Sequence, residues 1–144
     1  MSAEQNKALF RRVMDEVFVG GNTSLIDELF APNFVEHEEL PPGIPAGAEG
    51  VKQLSSMFLS AFPDFKATIE DLIAEGDKVV ARATWSGTHQ GEFMGIPPTG
   101  KRISIQVIDI VRFAGGKFVE HWGQMDNMTM MQQLGVMPGP GEEG

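Results

Sequence analysis

Cysteine is absent from this 144-residue chain, and cationic residues are scarce: 11 Lys and Arg stand against 20 Asp and Glu. Without cysteine there is no disulfide scaffold, no thiolate zinc site and no thiol nucleophile. A formal charge of −9 offers no electrostatic footprint for nucleic acid, and an anionic membrane repels it. No run reaches the roughly 18 apolar residues that a membrane helix needs. The opening MSAEQNKALF lacks the apolar stretch of a secretory signal, so a cytoplasmic location is expected. Of the three histidines, no two stand at metal-ligand spacing such as H-x-H or H-x-x-x-H. These absences leave one domain as the expectation, over residues 1–136 and long enough to bury a core. The Pro/Gly-rich acidic tail, 137–144, is expected to be disordered.

Hydrophobic periodicity then orders the chain. Leu9, Val13 and Val17 recur every four residues, with Phe10, Met14 and Phe18 widening the stripe, and they predict an amphipathic helix. Gly20-Gly21 ends it. Asn22 to Ser24 supply cap oxygens for a second helix whose apolar face is Leu25, Ile26, Leu29 and Phe30, closed by Pro32. A short strand is expected at 33–37, then a Pro- and Gly-rich loop at 41–50, then a third helix at 48–61. Segments 65–75, 78–88, 102–113 and 117–125 are rich in Val, Ile, Thr, Phe and Trp and read as strands. The links within the first pair and within the last pair are too short for parallel crossovers, so both pairs are hairpins. A final helix fits 127–134 and stops at Gly135. Helices first and strands afterwards predict an α+β domain, with a curved antiparallel sheet packed against N-terminal helices around a pocket.

Three segments say more than this. GTHQGEFMGIPPTGK (87–101), IVRFAGGKFVEHW (110–122) and DNMTMMQQLG (126–135) resemble the SnoaL-like polyketide cyclases, or ester cyclases, of the nuclear transport factor 2-like superfamily. The resemblance covers nearly the whole chain and implies a cone-shaped fold and a homodimer formed through the sheet. It also implies acid–base catalysis on an apolar carbonyl compound with neither metal nor organic cofactor: an α-proton is removed, and a ring closes by aldol reaction or a double bond moves. The family's catalytic aspartate falls two residues after His121, where this chain has Gly123, and a histidine of its pocket falls at Asp109. The acid–base residue is therefore absent from its expected address. The alternative on the same fold is a non-catalytic protein that binds a hydrophobic small molecule.

The residues themselves offer substitutes. Asp109 interrupts an otherwise apolar strand, where an ionised carboxylate is costly unless paired, and burial would raise its pKa into the range of a useful base. Solvent exposure, or an arginine across the sheet, is the plainer reading of it. A hairpin centred on Gly115 sets residue 109 opposite His121 and makes an acid–base dyad, which a one-residue slip destroys. Asp126 is placed either as a third catalytic acid or as the cap of the last helix. His37 and His89 are expected to position substrate, or else to be satisfied structural histidines. Trp85 and Trp122, with Phe93, Met94, Met125 and Met128, are expected as walls of an aromatic-binding cavity, or as ordinary core. Gly95 to Lys101 fits G-x-x-x-x-G-K, but Arg102 replaces the magnesium-holding hydroxyl, two prolines lack amide donors, and a strand follows. It is a connection over the cone mouth, not a nucleotide site.

Overall fold

The computed structural model describes residues 2–137; the acidic tail from 138 onward lies outside the described residues. Helix α1 (Ala3–Val13) starts at a capping box in which Ser2 Oγ accepts from the Gln5 amide and Gln5 Oε1 from the Ser2 amide. It widens into a π-helical stretch, Met14–Val19, and the chain turns at Gly21, whose φ of +79° favours a residue without a side chain. Helix α2 (Ser24–Leu29) runs directly into strand β1 (Phe30–Glu36). Helix α3 spans Gly47–Ala61, strands β2 to β5 span Lys66–Glu75, Lys78–Thr88, Arg102–Ala114 and Lys117–Met125, and helix α4 spans Asn127–Leu134.

The five strands form one sheet in the order β1-β5-β4-β3-β2. The two expected hairpins are present, β2 with β3 and β4 with β5. The sheet departs from a wholly antiparallel one at β1, which runs parallel to β5. No hairpin fixes its direction, because α3 and three strands separate the two in sequence. β1 also begins earlier than the expected 33–37 and contains Pro32. An edge strand tolerates a residue with no amide donor, and the β1–β5 register shifts between Phe30 and Val35, across that proline.

Alternation along β4 sorts the two faces. Ile103, Ile105, Val107, Val111 and Phe113 are buried toward the helices, while Arg102, Ser104, Gln106 and Ile108 are exposed on the outer face. Phe58 of α3, 1% exposed, packs its ring against Phe62, Phe65, Trp85 and Phe93 and locks the helix layer onto the sheet. Bulges in the β2–β3 and β4–β5 ladders bend the strands around this core.

The Gly95–Lys101 segment is irregular, and it is tied down by His89. The His89 amide donates to the Lys101 carbonyl, the Gly100 amide to the His89 carbonyl, and Thr99 Oγ1 lies 3.0 Å from His89 Nδ1.

Candidate active site

A cavity of about 400 Å³ opens between the helices and the inner face of the sheet. That volume suits a drug-sized ligand. Its wall is mostly apolar, with Phe10, Met14 and Phe18 contributed by α1 and the π-helical stretch, and Trp85 and Val107 by the sheet. The ionisable side chains lining it, among the described residues, are Glu36, Glu38, Glu39, Asp109 and His121.

Four of these meet at one point. Glu36 ends β1, Asp109 lies mid-β4 and His121 lies mid-β5, each pointing inward by strand alternation. His121 Nε2 is 2.7 Å from Asp109 Oδ1, and His121 Nδ1 hydrogen-bonds Glu36 Oε2. Asp109 is only 7% exposed, so the plainer reading of it as a solvated carboxylate fails, and its partner is a histidine rather than an arginine.

The expected pairing of Asp109 with His121 holds, but by another geometry. Asp109 stands opposite Gly123, and His121 opposite Val111. The two-residue turn at Gly115-Gly116 and the extra residue taken up by the bulge beyond Arg112 move the register by two residues from that expected. Side-chain direction repeats every two residues, so the shift leaves both groups on the inner face as diagonal neighbours. Gly123 keeps the diagonal open: a Cβ there would lie 2.7 Å from His121 Cε1 and 3.1 Å from Asp109 Oδ1.

The protonation of the cluster follows from its contacts. Burial disfavours charge on His121, but the hydrogen bonds it donates to Asp109 and Glu36, with the field of both carboxylates, outweigh it and push its pKa up to about 10. His121 is therefore an imidazolium at neutral pH, donating from both nitrogens. Glu38, just past β1, is pushed up to about 7, chiefly by burial and further by the charges of Asp109 and Glu36, with His121 opposing.

Other expected site residues lie elsewhere. His37 and Trp122 are on the outer face of the sheet, stacked with ring centroids 4.8 Å apart, and His37 Nε2 bonds Glu120 Oε2 at 2.8 Å. Trp122 cannot share the inner face with His121 because consecutive strand residues point to opposite sides. His89 is fully buried against Phe62 and serves the Gly95–Lys101 segment; it does not line the cavity. Asp126 caps α4, and hydrogen bonds from the Thr129 hydroxyl and amide hold its carboxyl below the usual range, away from the cavity wall. Phe93, Met94 and Met125 line the cavity with Trp85, whereas Met128 is exposed on α4.

Glu36 and Glu38 were not legible as site residues beside the more conspicuous His37. The available signal was alternation: Phe34 is buried, so Glu36 and Glu38 share its side and His37 does not. Glu36, Glu38 and His121 also offer ligand atoms within 4.8 Å of one another. A cation held there would have to displace a proton from His121 and break one of its two carboxylate bonds.

Comparison with known proteins fits this architecture. The SnoaL-like polyketide cyclase profile matches residues 8–134. The chain belongs to the SnoaL-like polyketide cyclase family. It is 31% identical over 133 residues to the nogalonic acid methyl ester cyclase of Streptomyces nogalater, covering 91% of this chain and 98% of that protein. It is 30% identical to the aklanonic acid methyl ester cyclase DnrD of Streptomyces peucetius, covering 94% of each. The structure of TsrD from Streptomyces laurentii superposes with a TM-score of 0.85 at 31% identity, covering 95% of this chain and 99% of that one.

In this SnoaL-like protein the cluster couples stability to pH. Folded His121 keeps its proton to about pH 10, whereas an unfolded histidine releases it near 6.5. The stabilisation is complete below 6.5 and is lost as pH rises through 10, because the folded state binds the extra proton in that window. Chemical denaturation between pH 7.5 and 10 should show stability falling with pH in the wild type and a much flatter curve in His121→Ala. At pH 7.5 the variant should be less stable by roughly 3–5 kcal/mol, since two buried carboxylates lose their counter-charge. Parallel curves would contradict the assignment.

Proposed function

We propose that this chain is a polyketide cyclase acting on an apolar carbonyl substrate bearing a methyl ester, closing a ring by intramolecular aldol addition. The observation that carries the reading is the largely buried Glu36–His121–Asp109 cluster in the wall of a mostly apolar cavity. An aromatic polyketide frame fits walls of Phe, Met and Trp by burial of apolar area and by ring contacts. The hard step is removal of an α-proton, which leaves an enolate. The positive ring of His121 lies in the same wall, where its charge offsets part of the repulsion between the enolate and the carboxylates of Glu36 and Asp109.

Asp109 and His121 form the core of the charged unit beside which the proton is exchanged. Asp109 holds the imidazole orientation through Nε2, and Glu36 does so through Nδ1, so the positive charge is positioned before substrate arrives. The similarity to two methyl ester cyclases supports the ester-bearing substrate class. We also propose a cytoplasmic homodimer joined through the outer face of the sheet, where Ile108 and Val35 are 48% and 45% exposed. A single-protomer mass in sedimentation would contradict that assembly.

Turnover is tested directly with an aromatic polyketide β-keto methyl ester, followed by absorbance and mass. The expected product has unchanged mass and a new absorption band, because aldol addition is an isomerisation. Asp109→Asn should lower kcat/KM by about 100-fold or more, the ordinary range for loss of a preorganised electrostatic partner. No conversion by the wild type, or full activity in Asp109→Asn, would contradict the reading.

A further inference from the structure

Gly123 leaves a gap in the inner face of the sheet, and a side chain from another element fills it. A Cβ built on residue 123 would lie 2.3 Å from Glu38 Oε1, closer than to either His121 or Asp109. The loop after β1 thus delivers a carboxyl into the space that a side chain on β5 would otherwise occupy. Its hydrogen-bonding differs from that of its neighbours. Glu36 and Asp109 are each bonded to His121, whereas the Glu38 carboxyl makes no hydrogen bond to any described residue. His121 has both ring nitrogens engaged, so it has no free site to accept a proton.

We infer that Glu38 is the catalytic carboxyl of this protein, taking the α-proton from the substrate and returning it to the product alkoxide from the space that Gly123 leaves open. The inference rests on the cyclase reading and names the group that exchanges the proton within it. In the first step the α-C–H bond breaks, its electron pair enters the enolate, and the proton passes to a Glu38 oxygen. The enolate carbon then attacks the ketone carbonyl carbon, forming the ring bond and an alkoxide. That alkoxide takes the proton back from Glu38. Atoms and electrons balance within substrate and side chain, and no oxidant or reductant is needed.

The surroundings suit both halves of the cycle. Glu36 faces Glu38 from β1, Asp109 from β4 and His121 from β5, and Glu39 neighbours it on the loop. Burial and the two carboxylates raise the Glu38 pKa to about 7, so near neutral pH neither form is scarce. Below that value the group carries a proton and cannot begin the reaction. The rate should therefore rise with pH through about 7.

The experiment uses two readouts on wild type, Glu38→Gln and Gly123→Ala. The first is ring closure of the aromatic polyketide β-keto methyl ester; the second is solvent-deuterium exchange into the methyl group of acetophenone, which needs proton removal but no ring closure. Glu38→Gln is expected to lose at least 100-fold in whichever reaction the wild type catalyses, and to lose the pH inflection near 7. Its unfolding midpoint at pH 8 should equal or exceed that of wild type, since position 38 then buries no charge, and this separates lost chemistry from lost folding. Gly123→Ala, whose methyl group evicts the Glu38 oxygen, should lose activity with Glu38 still present. Glu38→Gln within threefold of wild type, or with an unchanged pH profile, would overturn the assignment and leave the cyclase reading intact. Exchange without ring closure would overturn the cyclase reading and leave Glu38 in place. Neither reaction in the wild type would overturn both.

Discussion

An imidazolium held between two carboxylates, inside a cavity whose wall is mostly apolar, is the interaction on which the site depends. Bringing three ionisable groups out of water is expensive, and the arrangement survives because each charge has a partner in hydrogen-bond contact. Glu36, Asp109 and His121 come from β1, β4 and β5, so the cluster also ties the parallel edge strand to the antiparallel ladder. Removing His121 leaves two buried carboxylates without a counter-charge, and removing either carboxylate leaves one ring nitrogen of His121 without its partner.

The second determinant is an absence. Gly123 has no side chain between His121 and Asp109, so their diagonal contact is unobstructed and the Glu38 carboxyl has room to enter. A β-strand normally fixes which residue occupies an inner-face position; here the occupant comes from a loop two residues beyond β1. The result is a division of labour within one cluster of charges. Three groups are bonded to one another and hold a fixed field, and the fourth is free to gain and lose a proton.

Much of the fold was legible in the chain because its signals are local. The apolar stripe from Leu9 to Val17, the breaks at Gly20-Gly21 and the hairpin turn at Gly115-Gly116 each follow from residues within one turn or one strand pair. The π-helical widening after Val13 and the parallel seating of β1 were not legible, because long-range packing decides them. The site was harder. Asp109 stood out as a carboxylate in an apolar strand and His121 as its partner across the hairpin, but their register depended on a bulge that leaves no local mark. His37 and Trp122 attracted attention by residue type and lie on the wrong face by alternation. Glu38 gave no signal of type, only of parity with Phe34, and its importance rests on what Gly123 lacks.

The most direct test of the cluster is the protonation state of His121, read by nitrogen NMR of the histidine-labelled protein between pH 5 and pH 10. Both His121 nitrogens should carry protons at pH 8, with the change to neutral imidazole centred near 10. A His121 that titrates near 6.5, as an unperturbed histidine does, would show that the two carboxylates do not hold it charged, and the electrostatic basis of the site would fall.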